Sequence, residues 1–194
     1  MKHTLPILTF VATVAFLAAP FLADTFTGFD ADRFPVPQIN PPVQPAGYAF
    51  AIWGLIYAWL AVLAVVGVTI RRDARAWQSV HLPLMLSLGP GALWLWVAGF
   101  APLAATVLIF WMLGCAIWAL LCTPAQDRWL LRVPVALYAG WLTAAAHVSL
   151  GVTIGGYGLA SGEGAAVIAV VAATLVALGV SWLRPNAPEY GAAV

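Results

Sequence analysis

Charge is scarce in this chain. Only 8% of its 194 residues are Asp, Glu, Lys or Arg, and none of these lies well inside a long apolar run. Proton-coupled pumps and ion pathways carry ionisable groups at depth, so their absence argues against both. Acids and bases nearly cancel, to a net charge of +1, which leaves no basic surface for nucleic acid. Cysteine is almost missing as well. Cys115 and Cys122 stand seven residues apart on one helical face, where they cannot join, and read as small buried hydrophobes. Paired carboxylates, an HExxH pattern, a phosphate-binding glycine loop and a serine nucleophile in a suitable setting are all lacking. The chain is therefore not expected to be an enzyme.

Apolar sequence is what it has. Hydrophobic residues make up 63% of the chain and the mean hydropathy is +0.96, more apolar surface than one water-soluble domain can hide. A helix needs about 20 apolar residues to cross a bilayer. Six stretches qualify, near 4–23, 46–70, 80–98, 101–122, 133–153 and 164–183, and they predict an all-α, polytopic transmembrane bundle forming a single membrane domain over 1–194. With the first span entering from the cytoplasm, Lys2, Arg71, Arg72, Arg75, Arg128, Arg132 and Arg184 fall inside and only Arg33 outside. That asymmetry follows the positive-inside rule and predicts both termini in the cytoplasm. The first span resembles a secretory signal in outline, but its apolar run is long and Pro20-Phe21-Leu22 spoils a cleavage site, so it is expected to be retained.

One long loop interrupts the spans, over residues 24–45. Its five prolines forbid a continuous helix, while Phe26, Phe29 and Phe34 give it apolar handles. It reads either as a solvated outer connection or as a lid folded over the mouth of the bundle.

Aromatic residues are abundant: 10 Trp, 9 Phe and 5 Tyr. Phe50, Trp53 and Tyr57 share one face of the second span. Trp111, Gly114, Cys115 and Trp118 share a face of the fourth, and Pro134, Tyr138, Trp141, Ala145 and Ser149 a face of the fifth; Trp94 and Trp96 end the third. Trp59, Trp77, Trp96, Trp129 and Trp182 lie near span ends and read as interface anchors. Buried indole N–H and phenol O–H groups need partners, so three such faces describe either plain packing or a pocket for a flat apolar ligand. The fifth span reads as two-faced, with Ala136, Gly140 and Ala144 admitting a close neighbour while Tyr138 and Trp141 face a cavity. Of the histidines, His3 is terminal, His81 begins the third span, and His147 is the one weak candidate to ligate a metal inside a tetrapyrrole; hydrogen bonding to a neighbouring helix is the commoner role.

Pro45, Trp53 and Tyr57 in the second span, the Ala-Leu-Trp of the third, the tryptophans of the fourth and the VPxxLYxGWxTAA of the fifth together resemble the TspO/MBR family, the tryptophan-rich sensory or translocator proteins. The match runs over 45–149, and the sixth span with the long first loop is similar to the longer members, built on a five-helix core. The chain departs from compact members at Gly91 and Ser149, where those carry asparagine, and at Gly47, where those carry a loop tryptophan. The resemblance implies a bundle, often dimeric, that binds porphyrins or related tetrapyrroles, haem included, with a sensory or transport-related role and no required cofactor. It implies a pocket wall of Trp53, Tyr57, Trp94, Pro134, Tyr138 and Trp141, to which Phe50, Trp118 and Ser149 are added from the residue pattern. The bacterial inner membrane is the expected location. Stacking on Trp53 and Trp141 and gating by loop 24–45 is the expected mechanism. A non-catalytic accessory or assembly subunit of a larger membrane complex is the alternative. A tyrosine-to-basic sterol pattern near the end of the fifth span is missing, which leaves sterol binding without support.

Overall fold

In hydrocarbon every backbone N–H and C=O must be satisfied within the protein, which turns uninterrupted apolar runs into helices. A computed structural model describes residues 4–24 and 26–194, so the expectations for Lys2 and His3 lie outside the described residues. The long helices are α1 (Thr4–Leu22), α2 (Ile52–Thr69), α3 (Arg75–Gly91), α5 (Pro102–Leu121), α6 (Val133–Gly156) and α7 (Gly162–Leu183); α4 (Trp94–Phe100) and α8 (Pro188–Ala193) are short. No strand occurs among the described residues. Six segments are long and apolar enough to cross a membrane, and the chain is an all-helical integral membrane protein.

The helix boundaries have local causes. The third span begins at Arg75, five residues before the expected position, and Gly89-Pro90-Gly91 ends α3 so that the span continues as α4 after a break at Ala92–Leu93. Ala101, with φ −140° and ψ 77°, breaks the chain again, and Pro102 opens α5. Ser161 caps α7 by accepting a hydrogen bond from the Gly164 amide at 3.1 Å. The fifth span also starts early, in a π-helical turn over Arg128–Arg132 that leads into α6.

α6 is the axis of the bundle. Of the residues in its apolar stretch 78% are buried, against 11% in α7. Around it, α1 packs on α2 and α3, α3 on α5, and α5 on α6, while α7 lies against the far side of α6. The small-residue face of α6 is filled by the chain itself. A Cβ on Gly140 would collide with the Tyr190 carbonyl oxygen, because α8 folds back along α6 there. Tyr190 is fully buried and its hydroxyl shares a 2.8 Å hydrogen bond with Thr143.

Six arginines gather at one end of the bundle. Arg71 makes a two-point ion pair with Asp127, at 2.7 and 2.9 Å, and the Trp77 indole donates to the same carboxylate at 3.0 Å. The Arg71 hydrogen bond, and after it the one from Trp77, holds the Asp127 carboxyl below the usual carboxylate range. Trp77 is thus no interface anchor. It is 1% exposed, because the early start of α3 sets it inside this polar joint rather than against headgroups. Arg132, buried, donates to the carbonyls of Asn186, Pro124 and Ala125, and Arg128 pairs with Glu189, which ties α8 to the start of α6. Trp59 and Trp129 stack almost parallel, 7° apart, and Trp59 donates to the Trp129 carbonyl at 2.8 Å.

Candidate ligand-binding site

At the opposite end, the helices enclose a cavity of about 670 Å³. The size falls within the range of small-molecule pockets. Its base is aromatic. Phe16, reaching in from α1, meets Trp53 at 5.9 Å, Tyr57 at 5.7 Å and Tyr138 at 5.7 Å, all edge to face. On one side α2 presents Trp53, and the 3-10 turn that leads into it, Gly47–Ala51, presents Phe50; from α6 the Trp141 ring meets both at 6.2 Å, close to perpendicular. Ile109 and Met112 of α5 contribute at depth, and Ala145, Val148 and Val152 of α6 with Ala173 of α7 make a smoother wall.

The loop over 24–45 covers the mouth. Phe26 sits 5.0 Å from Trp94 and Phe29 6.3 Å from it, while the Trp94 indole is fixed by donating to the Ala105 carbonyl at 2.9 Å. Phe34 is buried over Gly156, where any side chain would collide with its ring, and Tyr157 closes on it at 6.2 Å. The Val36 amide donates to the Gly156 carbonyl at 2.9 Å, and Gln44 reaches back to the Thr27 carbonyl at 2.9 Å. Residues 24–45 thus fold back over the mouth of the bundle.

Phe50, Trp53, Tyr57, Trp94, Trp141 and Ser149 all line the cavity. Three expected wall residues do not. Trp118 is 45% exposed on the outer side of α5, because the shared face of Trp111 and Trp118 points away from the bundle. Pro134 lies at the start of α6, seven residues and so roughly 10 Å below Trp141 along the axis. Tyr138 is fully buried behind Phe16, its hydroxyl bonded to Ser87 at 2.9 Å, and Ser87 in turn donates to the Met112 carbonyl. Ser149 is engaged too, at 2.7 Å from the Thr106 hydroxyl, which also meets Thr153 at 2.9 Å.

His147 lines the cavity and is 4% exposed. Its Nδ1 lies 2.7 Å from the Thr143 carbonyl, so Nδ1 carries the proton and Nε2 is the nitrogen left for a ligand. The described residues contain no group of three or more metal-binding side chains. The Trp141 indole nitrogen is buried without a hydrogen-bond partner. Sequence reasoning missed Phe16, Met112 and the loop residues Asp24 and Gln44. No local pattern sets Phe16 apart from Phe10, which lies equally near the middle of α1. Gly91 explains its own departure from the family pattern, since a side chain there would press on Met112 and the Phe16 ring, which take that space.

A family model described as TSPO-like protein matches residues 6–194, nearly the whole chain. The chain belongs to the TSPO-like family. No curated protein and no solved structure matches it. As a TSPO-like membrane protein it has an aromatic cavity between α2 and α6, covered by residues 24–45.

Proposed function

We propose that this TSPO-like protein binds a flat, apolar small molecule of the tetrapyrrole class in the cavity beneath residues 24–45, and that occupancy of the cavity serves a regulatory or transport-related role. The observation that carries the reading is the perpendicular clamp of Trp53, Phe50 and Trp141 at the wall of an enclosed cavity of about 670 Å³. Aromatic planes at right angles offer a face and an edge to a planar guest, and the largely apolar lining favours an apolar one. For a tetrapyrrole carrying a metal, His147 is the one side chain in the wall suited to ligate it. The same reading sets the arginine-rich end in the cytoplasm of a bacterial inner membrane, by the positive-inside rule, and allows a homodimer or a larger membrane assembly through the outward face of α5.

The test is tryptophan-fluorescence quenching of the purified protein titrated with protoporphyrin IX and haem, with inner-filter correction. Trp53→Ala and Trp141→Ala should each weaken saturable binding about tenfold, the worth of one aromatic contact in such a site. Unchanged affinity in both variants, with helicity and elution volume preserved, would show that the cavity is not the site.

A further inference from the structure

The charges around the cavity are of one sign. Among the described residues that line it there is no lysine or arginine, and its one side-chain carboxylate, Asp24, stands at the lid end. That end of the bundle also carries Asp30, Asp32 and Glu163. Its single described base, Arg33, lies 3.9 Å from Asp30 and so is already matched. The polar groups deeper in the wall are neutral or engaged: Ser149 and Thr174 hold protein partners, Nδ1 of His147 is taken by the Thr143 carbonyl, and the remainder are indole and phenol groups. The other six described arginines sit at the opposite end, where Arg71 pairs with Asp127, Arg128 with Glu189, and Arg132 and Arg184 donate to backbone carbonyls.

A carboxylate drawn into such a cavity loses its water and gains no cation. One left at the mouth meets negative potential from the surrounding acids. We propose that the cavity is selective for uncharged ligands: of the flat apolar class it takes esterified or otherwise carboxylate-free members and discriminates against free dicarboxylates. This rests on the cavity being the binding site, as proposed above, and adds the charge of what it binds.

Protoporphyrin IX and its dimethyl ester differ only in whether the two propionates can ionise. The full-length protein in nanodiscs of zwitterionic phosphatidylcholine at pH 8, where carboxylates are charged and an ordinary imidazole is neutral, is titrated with each. Quenching is referred to the ligand concentration in the bilayer phase, which removes the difference in partitioning. The diester should bind on the order of tenfold tighter than the free acid, a difference within reach of unpaired charge in a low-dielectric site. Asp24→Lys, at an exposed loop position, should raise the ratio of acid to ester affinity several-fold. Free acid binding as tightly as the ester, with both weakened by Trp53→Ala, overturns the selectivity and leaves the cavity reading intact. An affinity ratio unmoved by Asp24→Lys overturns it also. Absence of saturable, Trp53-dependent binding by either ligand overturns the cavity reading, and the selectivity with it.

Discussion

The two ends of the bundle are held by different forces. At the arginine-rich end, hydrogen bonds and ion pairs with fixed directions join α3, α6, α8 and the connections between them, through Asp127, Arg132 and Glu189. At the lid end the described side chains form one ion pair, between exposed groups, and closure rests mostly on aromatic edges and on Phe34 lying over Gly156, with one backbone hydrogen bond from Val36 to Gly156. Directional bonds fail when groups shift by an ångström, whereas dispersion between rings tolerates sliding. The contacts at the arginine-rich end are thus the more sensitive to displacement, and the cavity lies at the other end.

The comparison breaks most sharply at Gly140. Gly140→Val forces a side chain into the Tyr190 carbonyl and should detach α8, costing about 3 kcal/mol as overpacking against backbone does. A drop in the thermal midpoint, with new protease cleavage between 184 and 194, would report it; an unchanged midpoint would mean α8 contributes nothing to the arginine-rich end. At the lid, the effect should move from stability to kinetics. Phe26→Ala removes an edge contact with Trp94 worth about 1 kcal/mol, so the midpoint should barely change while the ligand off-rate in stopped-flow quenching rises several-fold. The smallest effect is set by pH. The Asp127 pKa is depressed in the folded protein, so its contribution is present in full above the unfolded value near 4 and is lost as pH falls through the lower folded value. Thermal stability should decline below about pH 4, and Asp127→Asn, whose side chain suits the left-handed backbone at φ 53°, should flatten that limb. An identical acid limb in the variant would place the titration elsewhere.

Sequence alone made the spans legible, because length and polarity are read along the chain. What faces what was less so. Helical spacing puts Trp111 and Trp118 on one side of α5, but in lipid an aromatic stripe suits a lipid-facing surface as well as a core, and this one faces out. Trp53 and Trp141 stand out in the sequence because they lie away from the interfacial belt. Trp77 was misread for the complementary reason: depth near a span end suggests headgroups, and only the fold shows Asp127 beside it. Gly140 was rightly read as a place of close approach, yet its neighbour is the folded-back α8, a partner no local pattern announces. Phe16 escaped because the family motifs begin after it, and the bulk it supplies is visible only where Gly91 makes room.

Five prolines, at 35, 37, 41, 42 and 45, run through the part of the lid that lies against α6. Each fixes one backbone dihedral whether the lid is closed or open, so the open state has little disorder to lose. Closing the cavity then costs less conformational entropy than ordering a glycine- or serine-rich loop of the same length, and opening gains correspondingly little. A segment stiffened in this way would swing as a plate about its ends, so the free energy of closing it would be set by the contacts it makes rather than by the length of chain it contains.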